Sequence, residues 1–166
     1  MEKINEAEAI RTYEKEKGIK VRSCGLFVDM QYGFLAASPD GLIDADGIIE
    51  VKCPYSLAKK GITIDFAAKN IKTFYLKFDE NTQKINLKAT HDYYFQIQGQ
   101  LHITQKLYCD FIVWTPLEMF VERIMKNDEF WYSKMETNLV QFYHEALIPE
   151  IVDPRLCRKM PIRDIE

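Results

Sequence analysis

The stretch Ser38–Pro54, SPDGLIDADGIIEVKCP, sets three ionisable side chains, Asp40, Glu50 and Lys52, into what otherwise reads as two short strands and a turn. Leu42–Ile43 and Ile48–Cys53 flank Asp44-Ala45-Asp46-Gly47, and Asp and Gly are residues that close hairpin turns. In a strand, residues two apart point to one face. Glu50 and Lys52 therefore share a face, while Ile49, Val51 and Cys53 share the other and can bury. The turn folds the chain back, so Asp40, at the start of the first arm, comes near the far end of the second. Pro39 and Gly41 fix an irregular backbone around Asp40 and aim its carboxylate. The expectation is two carboxylates and an amine meeting on one edge of a sheet.

That grouping has a chemistry. Two convergent carboxylates form a hard oxygen site suited to Mg²⁺, or Mn²⁺ in its place, with waters and a substrate phosphate completing the coordination. A metal so held polarises a phosphoryl oxygen and acidifies a bound water. A neighbouring lysine steadies the attacking hydroxide or the charge developing at phosphorus, and a partly desolvated one can help take the water's proton. Glu-x-Lys by itself is a common surface pair. The Pro-Asp ten residues before Glu50 and the glycine turn between them set this pair apart.

Outward from this stretch, the chain reads as a mixed α/β domain. Asn5 to Glu16 is predicted helical, with Asn5 and Glu8 as a capping box and Gly18 as a stop; Ala7, Ile10 and Glu14, or Glu6, Ile10 and Tyr13, would form its inner face. Val21–Val28 and Phe34–Ala37 read as strands. Ser56–Asn70 reads as loop plus a short helix. Thr73–Phe78 and Lys84–Lys88 form a hairpin around Asp79-Glu80-Asn81-Thr82, Asp92–Thr104 a helix, and Tyr108–Trp114 and Met119–Met125 two strands. Asp128–Leu147 reads as a long helix whose Phe130, Trp131, Met135, Leu139, Phe142 and Ala146 recur at helical spacing and belong in a core. Past Pro149 a basic, proline-spaced tail should be irregular. The expected organisation is one catalytic domain over 1–150 and a tail over 151–166.

Composition limits the alternatives. The 166 residues suffice for one domain with its own core. No apolar run approaches the ~20 residues of a membrane span, and the charged start MEKINEAEAIRTYEKEKG does not read as a secretory leader. Cys24, Cys53, Cys109 and Cys157 form no CxxC pair, and His91, His102 and His144 are scattered, which argues against zinc and disulfides and for reduced thiols inside a cell. The net charge of −3 weighs against a purely electrostatic nucleic-acid binder, yet Lys59, Lys60, Lys69, Lys72 and Lys77 cluster after the central stretch. Asp44 and Asp46 read as turn formers, and His102 as a packing residue. Gln96 and Gln100 share a helix face, usually a surface arrangement, although Gly99 beside them allows close packing.

SPDGLI followed by GIIEVKCP resembles the Pro-Asp…(Asp/Glu)-x-Lys nuclease superfamily and, within it, the lambda-exonuclease-like or YqaJ-type viral recombinase branch. INEAEAIRTYEKEKGIKV resembles that branch's first core helix, YYFQIQGQLHIT its later helix, and YCDFIVW its trailing strand. The resemblance covers roughly residues 3 to 147. It implies a central mixed β-sheet flanked by helices and Mg²⁺-dependent degradation of DNA. Asp40 and Glu50 would be metal ligands with the Val51 carbonyl as a third, Lys52 the catalytic lysine, Glu6 an outer metal or water ligand, Gln96 a positioning residue and Ser38 a phosphate contact. Lys59 and Lys60 are added as candidate substrate contacts. Lambda-type members resect double-stranded ends 5′ to 3′ and work with a single-strand annealing protein. Homo-oligomerisation into a ring would explain processivity, but no interface signature is visible. Such members usually carry a further arginine-bearing segment before the first core helix. This chain begins almost at that helix, so the expectation is a minimal version or a piece of a longer protein. A structure-selective endonuclease or nickase would use the same site; a catalytically idle binding module would usually have lost one of Asp40, Glu50 and Lys52.

Overall fold

The structure is a computed structural model that describes residues 2–161, with side chains from Asn5 onward. Two compact units divide it, Met1–Lys126 and Asn127–Glu166.

The first unit is built on a four-stranded sheet of order β3-β4-β7-β8. Its elements run α1 (Glu2–Lys17), β1 (Phe27–Val28), β2 (Ala36–Ala37), β3 (Gly41–Ile43), β4 (Gly47–Lys52), α2 (Tyr55–Lys60), α3 (Ile64–Asn70), β5 (Leu76–Asp79), β6 (Lys84–Leu87), α4 (Asp92–Thr104), β7 (Tyr108–Trp114) and β8 (Met119–Met125). β3 and β4 form the expected antiparallel hairpin, with Gly41 opposite Ile49 and Ile43 opposite Gly47. β4 then pairs parallel with β7, and β7 antiparallel with β8. β1–β2 and β5–β6 are separate two-stranded ribbons. This is the mixed α/β architecture expected from the sequence.

The hairpin turn depends on two residues. Asp44 takes a left-handed backbone (φ 49°), a conformation Asp tolerates, and its carboxylate accepts from the Tyr108 hydroxyl at 3.0 Å. At Gly47 any Cβ would stand 2.5 Å from the Tyr108 ring and 2.7 Å from Ile43, so only glycine lets β7 close against the turn.

Two cores cover the sheet. On one face Ala9 and Tyr13 of α1 pack with Ile43, Ile49, Val51 and Ile112. On the other, Ile97 and Leu101 of α4 pack with Ile48, Phe111 and Val113 and with Leu57, Ile64 and Ala67 of the short helices. Each such large apolar side chain contributes roughly 1.5–3 kcal/mol by leaving water. β4 is therefore buried on both faces, as strands in parallel pairing usually are. This corrects the one-sided hairpin read from the sequence.

Other readings change too. α1 buries Ala9 and Tyr13, four residues apart, whereas Ala7 is exposed and Ile10 only half-buried. Only Phe27–Val28 of the expected Val21–Val28 strand pairs as strand; Arg22 makes an isolated bridge to Leu42, because three-residue β3 offers no longer partner. Ser56–Asn70 holds two helices, split where Gly61 turns left-handed and Thr63 caps α3 by accepting from the Phe66 N–H.

In the second unit, helical structure runs from Asp128 to Val152, started by the Asn127 side chain accepting from the Phe130 N–H. Two π-helical turns, Trp131–Met135 and Tyr143–Leu147, interrupt the α-helical register. Each widens the spacing, so the apolar stripe does not stay on one face: Trp131, Met135 and Ala146 are buried but Phe142 is 48% exposed. Helix persists past Pro149, contrary to the expected irregular tail, because that proline falls in the first turn of the resumed α-helix, where no N–H is needed. Among the described residues no helix is long and apolar enough to cross a membrane.

Candidate active site

Asp40 stands just before β3, where the hairpin ladder ends. Its N–H donates to the Ile49 carbonyl at 3.1 Å, and its Oδ2 accepts the Val51 N–H at 2.7 Å. The carboxylate thus replaces a strand partner at the end of β4. Gly41 is required beside it, since a Cβ there would collide with Val21 and stand 3.3 Å from the Arg22 carbonyl.

Glu50 lies mid-β4, opposite Phe111 of β7, and is only 2% exposed. Three donors converge on it. Lys52 Nζ is 2.6 Å and Gln96 Nε2 2.8 Å from Oε1; Gln100 Nε2 is 2.7 Å from Oε2. The two amides come from successive turns of α4, four residues apart. The site is therefore inside the sheet, under α4, and not at a sheet edge as the hairpin alone suggested.

The electrostatics are unbalanced. Burial, then the charge of Glu50, pushes the Asp40 carboxyl up to about 6; Glu6 adds to this, while the Val51 N–H and Lys52 oppose it. Burial pulls Lys52 down, but the charge of Glu50 and its hydrogen bond outweigh this and hold the ammonium above its ordinary value. Lys52 Nζ also lies 4.5 Å from the centre of the Tyr93 ring, a cation–π contact. Lys52 thus stands here as an ammonium that donates to Glu50 Oε1.

Among the expected site residues, Asp40, Glu50, Lys52 and Gln96 are brought together, and the Val51 N–H joins Asp40 to β4. Glu6, half-buried on α1, reaches the group through its field on Asp40. Ser38, Lys59 and Lys60 are exposed, and among the described residues no hydrogen bond or ion pair joins them to Asp40, Glu50 or Lys52. Gln100 and Tyr93 were missed. The signal was there: two glutamines four apart, with Gly99 beside them and a tyrosine three residues before Gln96. His102 is partly buried, with its Nε2 3.8 Å from the Asp29 carboxylate. No disulfide joins the four cysteines, all of which lie among the described residues.

Among the described residues no three His, Cys, Asp or Glu side chains converge as a metal-holding group. The available set is two carboxylates, Asp40 and Glu50, close enough for the charge of one to raise the other. These are hard donors, and the repulsion from Glu50 that adds to burial in raising Asp40 is what a divalent cation would relieve. The residues fit Mg²⁺ retaining several waters.

The model of the YqaJ-like viral recombinase domain matches residues 3–107. A search of curated proteins gives no match. Among solved structures, an alkaline exonuclease from Laribacter hongkongensis is 27% identical, with a TM-score of 0.66 over 95% of this chain and 71% of that one. The structure of that exonuclease in complex with dAMP is similar to the same extent.

Proposed function

This chain belongs to the YqaJ-like viral recombinase family, and from that premise we propose that it is a Mg²⁺-dependent DNA exonuclease that resects double-stranded ends 5′ to 3′ during recombination or the replication of a virus or mobile element. The observation that carries this reading is the convergence of Lys52 and Gln96 on one oxygen of buried Glu50, beside an Asp40 already anchored on the Val51 N–H. Asp40, Glu50 and the Val51 carbonyl would hold Mg²⁺, with Glu6 reaching it through water; Mn²⁺ would substitute. Bound there, the ion would polarise the scissile phosphate and lower the pKa of the attacking water. Lys52 places a fixed positive charge where negative charge develops on the phosphoryl oxygens. Gln96 orients the Glu50 oxygen that Lys52 shares. Burial of Glu50 under α4 excludes water from its inner side. Ser38, Lys59 and Lys60 would bind substrate phosphates; the two lysines have no ion-pair partner among the described residues. A single-strand annealing protein would take the exposed strand, and a homo-oligomer would keep the enzyme on its track.

The test is digestion of a linear duplex labelled at the 5′ or the 3′ end, with Mg²⁺ present or chelated. Mg²⁺-dependent release of the 5′ label first, with a closed circle left intact, is expected. Cutting of the circle would make it an endonuclease. Binding without cleavage in either Mg²⁺ or Mn²⁺ would refute the enzymatic reading.

A further inference from the structure

The proposed reaction makes no use of Gln100, yet this side chain is held more tightly than Gln96. It is 3% exposed and donates from Nε2 to Glu50 Oε2 at 2.7 Å, while its own Oε1 is buried without a hydrogen-bond partner. A buried amide with one end unsatisfied is a costly core residue; a methionine or leucine would fill the space without that cost. Only the nitrogen of an amide can serve a carboxylate, so its orientation is set by Glu50. The two oxygens of Glu50 are consequently unlike. Oε1 meets Lys52 and the exposed Gln96, whereas Oε2 meets only the buried Gln100 among these donors.

We infer that Gln100 is a positioning residue: it holds Oε2 of Glu50 inward, so that Glu50 presents Oε1 alone and can bind a cation through one oxygen only. This inference rests on the metal-dependent reading. It has a consequence for ion choice. Mg²⁺ uses single carboxylate oxygens in a tight octahedron, whereas Ca²⁺ readily takes a carboxylate through both oxygens. Gln100 therefore favours Mg²⁺ by denying Ca²⁺ the second oxygen.

Calorimetric titration of the intact chain with Mg²⁺ and, separately, with Ca²⁺ tests this in wild type, Gln100→Met, Gln100→Leu and Asp40→Asn. Thermal unfolding in chelator identifies which variants are folded, and two apolar replacements of different shape guard against a misfolded one. The Ca²⁺-to-Mg²⁺ affinity ratio should rise about tenfold or more in the Gln100 variants, and Ca²⁺ should compete better against Mg²⁺. A ratio within about twofold of wild type in a folded Gln100 variant overturns the positioning role and leaves the metal site standing. If wild type binds neither ion, and titrates as Asp40→Asn does, the metal reading itself fails and this inference fails with it.

Discussion

Two buried carboxylates stand on adjacent strands of one sheet and have opposite surroundings. Asp110 of β7 faces α1. It accepts the Tyr13 hydroxyl at 2.5 Å and both Nε and Nη2 of Arg123, at 2.7 and 2.9 Å. The Arg123 guanidinium in turn stacks 3.8 Å from the centre of the Tyr108 ring. One anion meets one cation, and its oxygens are filled by groups of the fold itself. Glu50 of β4 faces α4 and has its own cation, Lys52, but shares the neighbourhood with Asp40 and the field of Glu6. Burial first, and then the charges of Glu50 and Glu6, push the Asp40 carboxyl up. Asp110 ties strands and helix together with its charge matched; on the other face Glu50 and Asp40 share the one cation Lys52, and the proposed Mg²⁺ would supply the charge they lack.

The sharpest way to break this contrast is to remove one group from each face. Lys52→Met or Asp40→Asn should lower Mg²⁺-dependent DNA cleavage by about 10³-fold while leaving the far-ultraviolet circular dichroism spectrum unchanged. Arg123→Met should do the reverse. It strands Asp110, which is 2% exposed, and should cost about 2–3 kcal/mol in urea unfolding, toward the low end for a broken buried pair because half of the Arg123 side chain reaches solvent. Cleavage per folded molecule should stay within a few-fold of wild type. Equal loss of activity from both variants would end the distinction between the faces.

The sequence made one side of this contrast legible and hid the other. Asp40, Glu50 and Lys52 lie within thirteen residues, and strand periodicity with a glycine turn relates them without any tertiary knowledge. The pairing of Asp110 with Tyr13 spans 97 residues. No local pattern encodes it, since a Tyr on an amphipathic helix and an Asp inside an apolar strand each have many other readings. Gln100 was hidden for a related reason: a glutamine is ordinarily a surface residue, and only the placement of α4 over β4 turns its amide toward Glu50. Burial of β4 on both faces followed from its parallel pairing with β7, which a hairpin reading leaves out. The break in the C-terminal apolar stripe came from two π-helical turns, which a fixed helical period does not anticipate.

The excess charge on the Glu50 face should also be measurable without substrate. The Asp40 carboxyl titrates near 6 in the folded chain, against about 3.9 when unfolded. Its folded value is raised, so its contribution to stability is fully present below the unfolded value and is lost as pH rises through about 6. In chelator, wild type should lose about 1–2 kcal/mol between pH 4 and 7.5 on this account, a figure discounted for the partial exposure of the group. Asp40→Asn should lack that loss and be the more stable protein at pH 7.5, even as it loses cleavage. Urea denaturation at the two pH values checks this. A wild type as stable as the variant at both would mean that burial and the neighbouring Glu50 do not raise the Asp40 carboxyl.

The smallest effect belongs to the balanced face. Tyr13→Phe removes one donor to Asp110 and leaves both bonds from Arg123, so the carboxylate stays paired and its charge compensated. Burial and the neighbouring Asp110 already hold the Tyr13 phenol above its ordinary value, so the hydroxyl donates its proton throughout the working range. The ring remains and keeps its packing against Ile49 and Val51. What is lost is the net worth of one hydrogen bond to a charged group, about 1.5 kcal/mol, the low end for such a bond because Arg123 stays, with no dependence on pH between 5 and 8. Because Ile49 and Val51 flank Glu50 on β4, this variant also asks whether the α1 face supports the site through the strand. A loss of about 1.5 kcal/mol with Mg²⁺ affinity unchanged means that the two faces are independent; a loss of Mg²⁺ affinity would make Asp110 and Tyr13 part of what holds Glu50 in place.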